Sequence, residues 1–243
     1  MAPDRATARH QPRLNDASTT EGYKRAAAQA AAAMVEDGMR VGLGTGSTVA
    51  YLLPALAARN LSDLRCTATS PATAQAAQAL GLIVDDLDAL GELDIAIDGA
   101  DQVDPSGWLV KGGGAAHTRE KIVAAAARVF VVIVSAEKVV PALSPPVPLE
   151  VLRFGVQHTL SEVGEAHLRG ELESPDGNLI ADYLGPVDAS PADLAARLSA
   201  TPGVVEHGLF APEMVSDVLI AGADGVERRV GAKPRVSGTS VPG

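Results

Sequence analysis

Short apolar runs alternate with amphipathic or alanine-rich stretches along most of this chain. Residues 39–43, 64–69, 82–84, 93–97 and 129–134 read as strands, the last a continuous apolar VFVVIV. Between them, 49–59 and 70–80 read as helices. Ser70-Pro71 supplies an N-cap and a proline at the first helical position, and Gly81 a stop. The alanine-rich segment 23–35, capped by Thr19 or Thr20 and stopped at Gly38, predicts a helix ahead of the first strand. Another alanine-rich helix opens near Thr118. Apolar strands alternating with helices predict an α/β fold with a parallel sheet covered on both faces.

After Lys138 the texture changes. Pro141, Pro145, Pro146 and Pro148 mark a linker. Residues 149–154 read as a strand and 157–168 as a helix. Residues 171–173 and 179–183 flank a hairpin turn, Pro175-Asp176-Gly177-Asn178. A helix over 190–200 and a strand over 202–210 complete the order β-α-β-β-α-β, which predicts a smaller ferredoxin-like α+β domain. Residues 215–221 and 226–230 predict a last hairpin, placed for a return to the first sheet. The expected division is a disordered leader over 1–18, a sheet domain over 19–144 and 212–243, and the small domain over 145–211.

Composition narrows the ligand. The 243 residues are 47% hydrophobic and carry a net charge of -10. Such a surface repels nucleic acid, and no basic patch offsets it. A site for an anion must therefore gather its own lysines and N–H donors. The single cysteine, Cys66, excludes a disulfide within the chain and reads as a small buried hydrophobe, with a nucleophile as the alternative. The five histidines (His10, His117, His158, His167, His207) show no ligand spacing, so no metal is expected. With no apolar run of membrane-spanning length and no signal-peptide core, a cytoplasmic protein away from the membrane is expected.

The candidate chemistry lies after the strands. Asp98-Gly99-Ala100-Asp101 puts two carboxylates at a strand end. Lys111, three glycines (Gly112, Gly113, Gly114) and Thr118-Arg119-Glu120-Lys121 follow. Glycines let backbone approach a ligand and aim N–H groups at it. Carboxylates, a lysine and bare backbone so close together suit acid–base chemistry on a small anion. Earlier, Gly44-Thr45-Gly46-Ser47-Thr48 joins a strand to a helix, the arrangement that seats an anion on a helix N-terminus. No lysine precedes Ser47-Thr48 as in a Walker A loop, and Ser47 takes the third glycine position of a dinucleotide fingerprint. A small phosphate fits better than a nucleotide, and a mere tight turn is the alternative. The loop 45–48, the run 98–101 and Lys138 all follow strands, so they should converge on one rim. Glu120, on these residues alone, reads equally as a base and as a helix N-terminal charge.

In this order, Gly42 to Thr48, Asp98 to Asp101, Lys111 to Gly114 and Thr118 to Lys121 closely resemble ribose-5-phosphate isomerase of type A. The likeness runs from about residue 20 to 230 and takes in Pro202-Gly203-Val204-Val205, Gly208-Leu209-Phe210 and Asp224-Gly225. It implies a Rossmann-like domain beside the ferredoxin-like one. It implies a cofactor-free aldose–ketose isomerase acting on ribose 5-phosphate and ribulose 5-phosphate, assembled as a homodimer or homotetramer. By position, Glu120 resembles the proton acceptor. Thr45, Gly46, Ser47, Thr48, Asp98, Gly99, Ala100, Asp101, Lys111, Gly112, Gly113, Gly114 and Lys138 resemble substrate-binding positions. Lys24 falls where a phosphate-contacting lysine is expected, although a solvated helix charge is the alternative. On this reading Asp98 and Asp101 serve ring opening and hydroxyl contacts, and Lys111 with the glycine amides serves a developing oxyanion.

The chain departs from the family pattern at Gln102, His117, Ser135 and Glu137. Two other classes share the architecture. A sugar-phosphate-sensing module would not need Glu120, and a CoA transferase would need a covalent glutamate in its own motif. The run from Lys111 to Lys121 argues against both.

Overall fold

The structure is a computed structural model that describes residues 14–187 and 190–234. Its first half runs α1 (Leu14–Ala32), β1 (Arg40–Leu43), α2 (Val49–Ala57), β2 (Arg65–Ala68), α3 (Pro71–Ala79), β3 (Ile83–Val84), α4 (Leu87–Leu90) and β4 (Leu93–Asp98). Two short strands, β5 (Gln102–Val103) and β6 (Leu109–Val110), precede α5 (His117–Ala126) and β7 (Ala127–Ser135). Then come β8 (Val147–Val151), α6 (Val156–Val163), β9 (Ala166–Glu173), β10 (Leu179–Tyr183), α7 (Pro191–Ala200) and β11 (Val204–His207). The chain closes with β12 (Leu209–Phe210), β13 (Asp217–Gly222) and β14 (Gly225–Val230).

Seven strands form the main sheet in the order β14-β13-β7-β4-β1-β2-β3. All neighbours are parallel except the β13–β14 hairpin, so the last hairpin does return to the first sheet. Both faces are apolar, and β7 shows why. Val129, Val131 and Ile133 pack under α1 and α2, while Phe130, Val132 and Val134 pack toward α5. The fold is Rossmann-like α/β, as expected. The antiparallel order β11-β8-β10-β9 is the 4-1-3-2 pattern of a βαββαβ unit, so the ferredoxin-like part is present too.

A third sheet, β12-β6-β5, joins the two parts. Gly208 makes the join possible. Its amide donates to the Pro148 carbonyl at 2.7 Å and its carbonyl accepts from Lys111 at 2.8 Å. A Cβ there would lie 2.1 Å from the Lys111 carbonyl oxygen. The strand expected over 202–210 is thereby split between two sheets.

Local signals held where side chains cap. Ser70 accepts from the Thr73 amide at 3.2 Å, and Ser190 from the Asp193 amide at 3.2 Å, each with proline next. Other expectations shift: the strand expected over 149–154 is β8 at Val147–Val151, and the helix expected to 35 ends at Ala32. Helix α6 ends at Val163, not at 168, because Gly164 turns the chain at φ 93° and the following residues enter β9. The leader expected over 1–18 falls on residues outside the described set up to 13. Residues 14–18 belong to α1, so Thr19 and Thr20 lie inside that helix rather than cap it. Among the described residues, no helix is long and apolar enough to cross a membrane.

Candidate active site

The strands β1, β4 and β7 are neighbours, and their carboxyl ends bring the expected loops together. One cavity is lined by Thr45, Gly46, Ser47 and Thr48 after β1, and by Gly99, Ala100 and Asp101 after β4. Lys111 through Gly114, Glu120 and Lys138 complete it. Asp98 lies beneath the lining, and Lys24 lies outside it, paired with Glu21 at 2.9 Å.

Asp98 is seated by glycine. A Cβ on Gly44 would come within 1.9 Å of the Asp98 carboxyl carbon. Oδ1 of Asp98 accepts from the amides of Thr45 at 3.1 Å and Gly99 at 2.7 Å. Its Oδ2 faces the Lys111 ammonium at 3.0 Å. Lys111 also meets Oε2 of Glu120 at 3.1 Å, and all three side chains are buried. The ammonium, which has three donors, also donates to the Gly99 carbonyl at 2.5 Å. Asp101, closer to solvent, accepts from the Gly113 amide at 2.9 Å.

One cation thus serves two buried carboxylates. Burial pushes Asp98 above the usual carboxylate range, against the pull of Lys111. Burial opposes the charge on Lys111 as well, but Asp98 and Glu120 outweigh it and hold the ammonium above its ordinary value. Burial first, then repulsion from Asp98, pushes Glu120 up to about 8. A carboxylate with that affinity can take and return a proton near neutral pH, which an ordinary glutamate does poorly.

The glycine run does two jobs. Gly112 sits at φ 103°, and a Cβ there would lie 2.7 Å from Nδ1 of His117 and 2.8 Å from Pro148. Arg169 of β9, braced by Asp182, donates to the carbonyls of Gly112 and Gly113, each at 3.2 Å. This ties the glycine run to the ferredoxin-like part. His117 is buried under Gly112, outside the lining, and burial lowers it to about 4, so it is neutral. Gln102 turns away to Ser144. Cys66 is buried, and burial pushes its thiol up to about 12, so it is no nucleophile.

At the other end of the cavity, α2 begins at Val49 directly after Thr48. In its first turn the amides of Ala50 and Tyr51 already donate to the Gly46 and Thr48 carbonyls, each at 3.1 Å, so side chains must supply the donors for an anion there. Ser47 and Thr48, which carry hydroxyls, and Lys138, which carries an ammonium, line the same space. The cavity therefore has a phosphate-suited end and an acid–base end. Among the described residues, no group of three or more His, Cys, Asp and Glu side chains could hold a metal ion.

Known proteins resemble this chain in sequence and fold. A sequence profile described as ribose 5-phosphate isomerase A (phosphoriboisomerase A) matches residues 65–225. The ribose-5-phosphate isomerase A of Caulobacter vibrioides is 44% identical over 224 residues, covering 86% of this chain and 98% of its own. A solved D-ribose-5-phosphate isomerase in complex with phospho-erythronic acid superposes with a TM-score of 0.83 at 35% identity, covering 87% of this chain and 99% of its own. The ribose 5-phosphate isomerase A of Methanocaldococcus jannaschii gives 0.81 at 33%, with 87% and 99% covered.

Proposed function

We propose a division of labour for the site of a chain that belongs to the ribose 5-phosphate isomerase A family. The chain is an isomerase that interconverts ribose 5-phosphate and ribulose 5-phosphate in the pentose phosphate pathway. The observation that carries the assignment of roles is the buried Glu120–Lys111–Asp98 cluster opening onto the cavity.

In the open-chain aldose, the Glu120 carboxylate takes the proton from C2. The C–H electron pair becomes the C1–C2 double bond, and the carbonyl pair moves onto O1. The Lys111 ammonium neutralises that enediolate oxygen in a dry site, where charge contacts are strong. Glu120 returns its proton to C1, and the O2 proton passes to O1 as C2 becomes the carbonyl. Asp98 holds Lys111 in place, and Asp101, on the cavity wall, takes the ring-opening proton transfer and hydroxyl contacts. A structural relative was solved in complex with phospho-erythronic acid, a phosphorylated acid, which is consistent with a site for a small phosphorylated anion. Run in deuterated water, the reaction should leave deuterium at the transferred position to the extent that the Glu120 proton exchanges with solvent before its return. Deuterium entering at an undiminished rate in Glu120→Gln would take the proton transfer away from that carboxylate.

Residues 45–48 and Lys138 take the phosphate in this reading, and Lys24 must leave Glu21 to join them. A hydrogen bond to a charged group contributes roughly 1.5–3 kcal/mol. Lys138→Ala should therefore raise KM by about 10-fold or more with little change in kcat, because the phosphate is remote from C1 and C2. A KM equal to wild type would move the phosphate elsewhere. We further infer that the enzyme is a cytoplasmic homodimer or homotetramer. A monomer at sedimentation equilibrium would overturn the assembly.

A further inference from the structure

Helix α5 carries Glu120 yet has no cap of its own. Its N-cap position is Ala116, which has no capping side chain, and the preceding Ala115 sits at φ 63°. Something else must hold the first turn. The residues flanking Glu120 all reach into the ferredoxin-like part. Thr118 Oγ1 donates to Oε2 of Glu150 at 2.5 Å. Arg119 grips Asp176 through Nε at 2.9 Å and Nη2 at 2.6 Å. Lys121 pairs with Glu206 at 2.6 Å and donates to the His207 carbonyl at 2.7 Å.

Among these partners Glu150 stands apart. It is completely buried on β8, where a carboxylate is costly unless its oxygens are satisfied. Its Oε1 accepts from Ser174 Oγ and Asn178 Nδ2, each at 2.7 Å. Thr118 supplies the bond to the other oxygen. Ser174 and Asn178 in turn bracket the hairpin turn that contains Asp176. The network therefore locks the β9–β10 turn, β8 and the start of α5 into one unit. Glu120, two residues on, points the other way, to Lys111.

We propose that Glu150 is a positioning residue for the base: acting through Thr118, it sets where Glu120 stands relative to Lys111 and the substrate carbons. This rests on Glu120 being the base. Misplacing a reacting group by about 1 Å can cost roughly 10²-fold. A hydroxyl bond to a buried carboxylate is a rigid way to prevent that.

The test is a cycle of Thr118→Val and Glu120→Gln in the full chain, with Thr118→Ser as the conservative rescue. Thr118→Val should lower kcat by about 10–10²-fold with KM nearly unchanged, and should move the acidic limb of the pH profile. Thr118→Ser should restore both. In the Glu120→Gln background, Thr118→Val should cost nothing further, because the residue it positions is already disabled. Equal losses in both backgrounds, or an unchanged kcat for Thr118→Val, overturn the proposal. If Thr118→Val does not fold, Thr118→Ala, which leaves room for water beside Glu150, carries the same expectations and the same overturning outcomes. Should Glu120→Gln itself keep normal kcat, the base assignment fails instead. A large loss in Glu120→Gln with none at Thr118 defeats this inference alone.

Discussion

Replacing Glu120 by glutamine should cut kcat by about 10²–10⁴-fold, the usual worth of a positioned general base, while KM changes little. Glutamine keeps the size but cannot accept the proton from C2. Two pH measurements make the expectation sharper. Glu120 works only when ionised, and burial with Asp98 raises it to about 8, so kcat/KM of wild type should climb with pH up to that region. The same shift bears on folding. The unfolded carboxyl loses its proton near 4.5, the folded one near 8, so between these values the folded state binds more protons. Stability contributed by Glu120 is therefore present below about 4.5 and is lost as pH rises through 8. Glu120→Gln removes that slope, so the difference in stability between the variant and wild type should grow with pH in the variant's favour. Should the variant turn over substrate at near the wild-type rate, the proton transfer would pass to Asp101 or Asp98.

Much of this site was legible because it is built from short sequence runs. Strand ends, glycine turns and caps are local features, and β1, β4 and β7 became neighbours by the ordinary rule for parallel sheets. The cavity accordingly gathers residues 45–48, 99–101, 111–114, Glu120 and Lys138 as the pattern suggested. What escaped depends on distant pairs. Glu150 reads as one charged residue in an apolar strand, and only folding places Thr118 against it. Arg169 sits in a mostly exposed strand, with nothing local to reveal that it holds the Gly112 and Gly113 carbonyls. The strands β5 and β6 have two residues each, too short to show a period. Asp98 and Asp101 looked equivalent in sequence. Their difference comes from depth: Asp98 is buried against Lys111, whereas Asp101 lines the cavity.

Lys111 should prove the residue on which both folding and catalysis turn. Lys111→Met keeps an unbranched stem beside the Phe210 ring, which the ammonium now faces at 5.3 Å. It removes the one cation that Asp98 and Glu120 share. Breaking a buried ion pair by removing one partner costs about 3–5 kcal/mol, because the remaining charge is left uncompensated. Here two carboxylates are left, so both should bind protons more tightly still, and the loss should be greatest at high pH, where they are forced to ionise. Catalysis should fall separately, by about 10²–10³-fold, the effect of deleting one oxyanion donor. Denaturant unfolding at pH 6 and pH 9 separates the two effects from the kinetics. The double variant Lys111→Met/Glu120→Gln decides the cause. With one carboxylate made neutral, only Asp98 remains charged, and it keeps its bonds from the Thr45 and Gly99 amides. That protein should regain part of the lost stability at pH 9 yet none of the lost activity. A double variant no more stable than Lys111→Met would mean that the lysine contributes packing rather than charge, and the shared-cation account of the site would fall with it.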